Sequence, residues 1–437
     1  MLSPANLLTK FAPPALRPAV FFIPFLLAYA AIVLLFQQEQ LTVDEPSYLA
    51  FANNLLHGFY SPPPPDLDLW HAPGYPLLLT PFVALKAPLT LLRLLNAGLL
   101  YASLLLFYQL MIKLVSRNKA LAGAIFLGCY WLAFKGLPVL MTETLVFFLI
   151  TAALLAAEKY FRNEGKATGS LLLLGFLLGY LCLTKFLFGY VMVVMILFTA
   201  VQWLRGKVLY KKALYASLLA FLFTIPYLLY TWNLTGRVFY WSNAGGANLY
   251  WMSSPVAGEY GDWFNEELEP NWSVDGIVPG AAEQLQKNHG RDMAELKQLS
   301  GVAKDDLYKK KAWENIRQHP GKFLGNWLAN TGRLIFNFPY SYRKTGPGLL
   351  FNALPHLLAL LLAIPLIRRA RQKKLEIPFF LQFMLLLVLI YFAGSTLLSA
   401  LIRMFYVVFP VLAVALVYLW DRTAGRETPR PADVNIG

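Results

Sequence analysis

The chain has 437 residues, of which 57% are hydrophobic, 15% aromatic and only 14% charged. A soluble domain of this size has no use for so much apolar surface, so the composition excludes that class. The formal net charge of +14 does not identify a nucleic-acid binder, because the basic residues fall in alternate connections between apolar runs rather than on one folded face.

Ten apolar runs, each near the ~20 residues that cross a bilayer, are predicted as spans: 19–37, 89–115, 119–137, 138–158, 168–185, 186–204, 212–231, 348–367, 376–394 and 400–420. The first resembles a signal peptide ending at Ala28-Tyr29-Ala30. Its apolar residues continue through Phe36, so an uncleaved anchor is expected. Residues 75–87, flanked by Pro73, Pro76 and Pro88, are read as a further span or a re-entrant helix. Lys10 and Arg17 precede the first span, and Lys113, Arg117 and Lys119 fill the next connection on that side. Lys159, Arg162 and Lys166 follow, then Arg205, Lys207, Lys211 and Lys212, then Arg368 to Lys374, and finally Arg422, Arg426 and Arg430. Every second connection is therefore basic, which assigns these connections and both termini to the cytoplasm.

The other connections are acidic. Twelve of the 24 acids lie between Trp232 and Arg343, and Glu39, Asp44, Glu45, Asp66, Asp68 and Glu143 map to the same outer side. Two long outer segments result, 38–88 and 232–345. The second holds Trp232, Trp241, Trp251, Trp263, Trp272, Trp313 and Trp327 and is expected to be a small helical domain. Within it, Asp305-Asp306 are expected to open a helix that stops at His319-Pro320-Gly321. The chain thus divides into 1–231, an N-terminal membrane module with its first outer loop; 232–345, the outer domain; and 346–437, the last spans and a short tail. The fold class is an all-α polytopic membrane protein with about ten spans and amphipathic outer helices.

Cys129 and Cys182 lie inside predicted spans, so no outer disulfide framework is expected. There is no phosphate-binding glycine loop, no HExxH zinc motif and no GxSxG nucleophile motif. Asn233-Leu234-Thr235 and Asn271-Trp272-Ser273 match the short glycosylation pattern.

The most informative stretch is Thr42-Val43-Asp44-Glu45-Pro46-Ser47-Tyr48-Leu49. Two adjacent carboxylates stand at a membrane boundary, where ionised groups are costly. They precede an amphipathic pattern through Leu49, Ala52, Asn53 and Leu56 to Gly58, so capping of a helix would also explain them. Glu143 opens the fourth span, Lys135 ends the third, Lys185 turns between the fifth and sixth, Arg93 begins the second and Arg403 the last. All map to one membrane depth. Carboxylates and cations there suit a substrate that carries a phosphate and offers a hydroxyl: cations hold phosphate oxygens and a carboxylate takes the hydroxyl proton. Snorkelling of each cation to the headgroups is the plainer account, most of all for Lys135.

These residues occur in motifs that resemble the polytopic glycosyltransferases of the GT-C superfamily, in its protein O-mannosyltransferase and aminoarabinose transferase branch. The motifs run in order: the outer Asp44-Glu45 pair, His71-Ala72-Pro73-Gly74-Tyr75-Pro76, Arg93-Leu94-Leu95-Asn96, Met141-Thr142-Glu143-Thr144-Leu145 and Leu183-Thr184-Lys185. Trp232-Asn233 with Gly236-Arg237, Gly245-Gly246-Ala247-Asn248, Ala312-Trp313 through His319-Pro320-Gly321 and Arg403-Met404-Phe405-Tyr406 complete the series. The chain departs from that branch at Lys185-Phe186, where relatives often have Arg-Pro, and in running little past residue 420, where they often carry a further soluble domain. The resemblance implies a GT-C fold and an inverting transfer of sugar from a polyprenyl-phosphate carrier to an acceptor on the outer face. It implies a bacterial inner-membrane location with the active site on the periplasmic side. It makes Asp44 the catalytic carboxylate, with Glu45 and Glu143 beside it and Arg403, Lys185 and Arg93 on the donor phosphate. His71, Tyr75, Gly245, Gly246 and Asn248 would line or cover the site. The partners are the polyprenyl-phosphate sugar, an outer acceptor (glycolipid, polysaccharide or protein) and the bilayer. A divalent metal is left open, with Asp44 and Glu143 as ligands, joined by Glu45, His71 or His289; no spacing is diagnostic. The alternatives are a secondary transporter or lipid flippase with proton-coupling acids, and a non-catalytic membrane scaffold.

Overall fold

The computed structural model describes residues 17–42, 44–162, 168–268, 276–344, 346–398 and 400–424. Lys10, Lys166, Trp272, Arg426 and Arg430, the Asn271 glycosylation pattern and both chain ends lie outside them. Among the described residues every extended element is helical, and the one β-bridge joins Ile277 to Arg343. The membrane helices are α1 (Arg17–Phe36), α4 (Leu89–Leu114), α5 (Arg117–Gly128), α6 (Thr142–Arg162), α7 (Thr168–Thr184), α8 (Leu187–Leu204), α9 (Leu209–Leu222), α10 (Ile225–Thr235), α15 (Pro347–Gln372), α16 (Phe379–Leu397), α17 (Ile402–Tyr406) and α18 (Phe409–Thr423). The segments expected on the outer side hold α2 (Glu45–Leu56), α3 (Gly74–Ala84), α11 (Gly245–Met252), α12 (Ala281–Leu296), α13 (Gly301–Gln318) and α14 (Pro320–Phe336).

A helix occupies each of the ten predicted spans, but they differ in kind. Among the described residues six helices are long and apolar enough to cross a bilayer, and α9 with α10 makes a seventh, bent by 43°. The bend falls at Pro226, whose ring removes one donor from the ladder. The third predicted span is the twelve-residue α5 followed by a 3₁₀ turn, Trp131–Gly136. The last is broken at Val407-Val408 between α17 and α18. Eleven residues of α3 rise only ~16 Å, too short for a bilayer, so 75–87 is not a further span. Leu35, Leu85, Leu204 and Leu361 are strongly exposed, an arrangement that suits a hydrocarbon solvent and not water.

Helix α6 is the hub. It buries residues on nearly all faces, from Thr142 to Tyr160. At its inner end Glu158 holds Lys113 and Arg162, and nearby Asp421 holds Lys119 and Ser116. These two acids thus fasten helix ends together.

At the outer end, α3 meets the C-terminus of α7. A Cβ at Gly74 would lie 2.5 Å from Thr184 Oγ1 and 2.8 Å from the Leu183 carbonyl, so only glycine permits this approach. Tyr180 donates to the Gly74 carbonyl at 2.7 Å and closes the joint. Upstream, the Tyr230 hydroxyl receives the Tyr60 and Ser61 N–H groups and ties the first outer segment to α10.

Helices α11, α12 and α13 share a second apolar core around Tyr250, Trp251, Phe264, Leu285, Met293 and Tyr308. Helix α13 begins at Gly301, four residues before the expected start. Asp305 does not cap it. Its buried carboxylate receives the Gly246 N–H, the Tyr240 hydroxyl and Lys309, so the acid joins two helices instead of opening one. The predicted stop at His319 is present, and α14 starts at the next residue.

Candidate active site at the outer helix ends

Asp44 and Glu45 are neighbours in sequence with opposite surroundings. Glu45 is fully buried. It takes Arg93 in a bidentate grip, Nε to Oε1 at 2.9 Å and Nη2 to Oε2 at 2.8 Å. The Leu140 N–H (2.9 Å) and the Thr42 N–H (2.9 Å) complete its shell. Burial alone would raise the Glu45 pKa, but Arg93 and the two N–H groups together hold it below the usual carboxylate range. Arg93 is 1% exposed and also donates from Nη1 to the Gln38 carbonyl. The structure therefore does not place Arg93 with the other cations, nor Glu45 where a substrate could reach it. A buried charge must be paired, and these two pair with each other.

Asp44 stands at the N-terminus of α2 but makes no side-chain capping bond, and its backbone is helical rather than extended. Among the described residues its half-exposed carboxylate has no hydrogen bond or ion pair. Capping therefore does not explain this acid. It lies within electrostatic reach of Arg403, Tyr48 and His71.

Glu143, the second residue of α6, is 2% exposed. Lys185 Nζ meets its Oε1 at 3.0 Å and Arg403 Nε approaches the same oxygen at 3.6 Å. The three come from the start of α6, the turn between α7 and α8, and α17. Arg403 keeps its side chain 36% exposed and Lys185 18%, so both present unused donors beside an acid that is already occupied. Glu143 serves to hold the cations and is not a free base.

His71 packs its ring 4.7 Å from Tyr48 and 6.1 Å from Phe51. Burial pushes its pKa below the ordinary value, partly offset by Asp44 and Asp68, so the ring is neutral near pH 7. Tyr48 in turn meets Tyr75 edge-on at 5.1 Å. The structure thus gathers Asp44, His71, Tyr75, Glu143, Lys185 and Arg403 into one region. Lys135 stands apart and donates to Asn352 at 2.7 Å.

Gly245, Gly246 and Asn248 are helical. They form the first turn of α11. Gly246 donates to Asp305 at 2.7 Å, and a Cβ there would strike the Asp305 backbone and Tyr308. The Asn248 amide donates back to the Ala244 carbonyl. Gly246 thus fixes α11 against α13.

Two contributors were absent from the sequence-based set. Asn96 is fully buried and donates to the carbonyls of Gly136, Leu137 and Val139, which fixes the loop that carries Leu140 to Glu45 and leads into Glu143. Tyr48 supplies an aromatic surface that packs on both His71 and Tyr75. The signal for Asn96 was its place three residues after Arg93 on one helix face, inside an apolar span. Among the described residues no three His, Cys, Asp or Glu side chains converge as a metal site.

No family model and no curated protein matches the sequence. Among solved structures the chain is similar to the crystal structure of ArnT from Cupriavidus metallidurans bound to undecaprenyl phosphate, at 12% identity and a TM-score of 0.41, over 93% of this chain and 78% of that one.

Proposed function

We propose that this protein is an inverting glycosyltransferase of the GT-C kind, moving a sugar from a polyprenyl-phosphate carrier to an acceptor hydroxyl on the outer side of the membrane. The observation that carries the reading is the Asp44 carboxylate, unpaired among the described residues and within electrostatic reach of Arg403, which with Lys185 is poised on Glu143. Asp44 would accept the proton of the attacking hydroxyl as its oxygen bonds to the anomeric carbon. The bond from that carbon to the phosphate oxygen breaks, and its electron pair leaves with the polyprenyl phosphate. Arg403 and Lys185 would stabilise that charge through donors Glu143 does not use. Cations held in place beforehand need not reorganise as the charge develops.

The layered charges support this division of labour. Glu45 with Arg93 is electrically closed and braces α2 against α4 and the 136–140 loop. Asp44, Glu143, Lys185 and Arg403 sum to zero before substrate binds, so a singly charged phosphodiester enters a site with cations already facing it. The order of motifs through the chain agrees with the same chemistry.

The test is transfer of a radiolabelled sugar from polyprenyl phosphate by purified protein. Wild-type protein is expected to release or transfer the sugar and Asp44→Asn to do neither. Flux of the intact lipid across vesicles without chemistry would replace this reading with a transporter or flippase.

A further inference from the structure

A cavity of about 340 Å³ opens between the first outer segment and the outer domain, near the lower end of the ~300–1,000 Å³ usual for small-molecule sites. It is a built opening. Ser300 donates to the Pro65 carbonyl at 2.9 Å, and Asn243 accepts the Leu69 N–H at 3.2 Å, so its two walls are tied together at separate points. Trp70 and Tyr308 supply aromatic surface, each packed on or within the outer apolar core. Asp66 and Asp68 face in from one wall and Glu266 from the other. Glu266 is oriented by Lys304 at 2.7 Å and the Tyr308 hydroxyl at 3.1 Å. Asp68 uses Oδ1 on the Trp70 N–H, and Asp66 is exposed.

Aromatic faces beside carboxylates suit a sugar ring, whose C–H face packs on an aromatic plane while its hydroxyls donate to the acids. Three carboxylates against the single ammonium of Lys304 also set the sign. They favour an amine and disfavour a phosphate. Asp68 lies within electrostatic reach of His71, which in turn reaches Asp44. The cavity therefore adjoins the proposed reaction region. We infer that it binds a neutral or amine-bearing sugar unit lacking phosphate. On the glycosyltransferase reading, on which this last step rests, that unit belongs to the acceptor.

The test uses the full chain in lipid nanodiscs with methyl glucoside, methyl glucosaminide and glucosamine 6-phosphate, their binding read by saturation-transfer NMR. The comparison protein is Asp66→Asn with Glu266→Gln, two changes outside the Asp44 region, with thermal unfolding as the folding control. The first two sugars are expected to bind wild-type protein, with the phosphorylated sugar weaker. The double variant, unfolding at the wild-type temperature, is expected to lose affinity about tenfold, as weakening one or two hydrogen bonds implies. Equal sugar binding by both proteins, or phosphorylated sugar bound as tightly as neutral, overturns the inference. Where the double variant unfolds early, Asp66→Asn alone, at an exposed position, carries the same comparison. Polyprenyl phosphate binding is measured in the same discs. If it is absent while sugar binding stands, the glycosyltransferase reading fails and the cavity does not. The same sugar on a lipid anchor distinguishes a glycolipid, which binds tighter than the free sugar, from a soluble glycan, which does not, and either result supports the site.

Discussion

Glu45→Gln separates bracing from chemistry. Glu45 and Arg93 are 0% and 1% exposed and meet through two bonds of 2.9 and 2.8 Å. The amide keeps one acceptor and turns its NH2 toward two donors, either Arg93 Nε with the Leu140 N–H or Arg93 Nη2 with the Thr42 N–H, so the guanidinium loses its counter-charge and one bond, and a backbone N–H loses its acceptor. Removing one member of a buried pair typically costs ~3–5 kcal/mol. Asp44→Asn changes a side chain without partners among the described residues, and the expected change is within about 0.5 kcal/mol. Thermal unfolding in detergent near pH 7, with both variants side by side, reads the contrast. The sign with pH follows from the depressed Glu45 pKa: its contribution is fully present above the unfolded value near ~4.3 and is lost as pH falls through the lower folded value. The Glu45→Gln deficit should therefore shrink in strong acid. If Asp44→Asn costs as much stability as Glu45→Gln, or if Glu45→Gln unfolds like wild type, the division of roles between the two acids is wrong.

Asp44→Asn should lower sugar transfer by at least ~10²-fold, the lower range for loss of a general base, with polyprenyl phosphate binding retained; a few-fold loss would remove it from the chemistry. Arg403→Ala should weaken polyprenyl phosphate binding about 10- to 100-fold, as loss of a charge-assisted hydrogen bond implies, and Arg403→Lys less, because lysine keeps the charge but not the bidentate grip. Calorimetry across both decides this, and wild-type affinity in Arg403→Ala would move the phosphate site elsewhere. Gly74→Ala should lower both unfolding temperature and activity, since its methyl meets Leu183 backbone that cannot step aside; an unchanged protein would mean that the α3–α7 joint yields.

The span order, the amphipathic α2, the stop at His319 and the convergence of Asp44, Glu143, Lys185 and Arg403 were legible in the sequence. Periodicity marks apolar faces, and alternating basic connections fix which span ends share a side. Which charges were already spent was not legible. Arg93 and Arg403 both begin a span by the sequence pattern, yet one is closed against Glu45 and the other keeps open donors. Pairing depends on how helices far apart in the chain meet. Glu45 finds Arg93 48 positions away and the Leu140 N–H 95 positions away. The packing of Gly246 was not legible for a related reason. Glycine permits a flexible turn and equally a close approach, and only the position of Asp305 shows that approach is what this fold uses.

That distinction bears on how the site works. A cation held by a buried acid at one face keeps its place without substrate, while its other donors stay available. Glu143 gives Lys185 and Arg403 this arrangement, whereas Arg93 is 1% exposed and makes all three of its contacts inside the protein. The same reasoning ranks the acids. Glu45 and Glu143 are occupied, and each stabilises a neighbour's position. Asp44 alone of the three combines partial exposure with the absence of a partner among the described residues. A carboxylate in that state makes no capping bond and is not half of a brace, which is why the proposed proton transfer is assigned to it and not to Glu45 or Glu143.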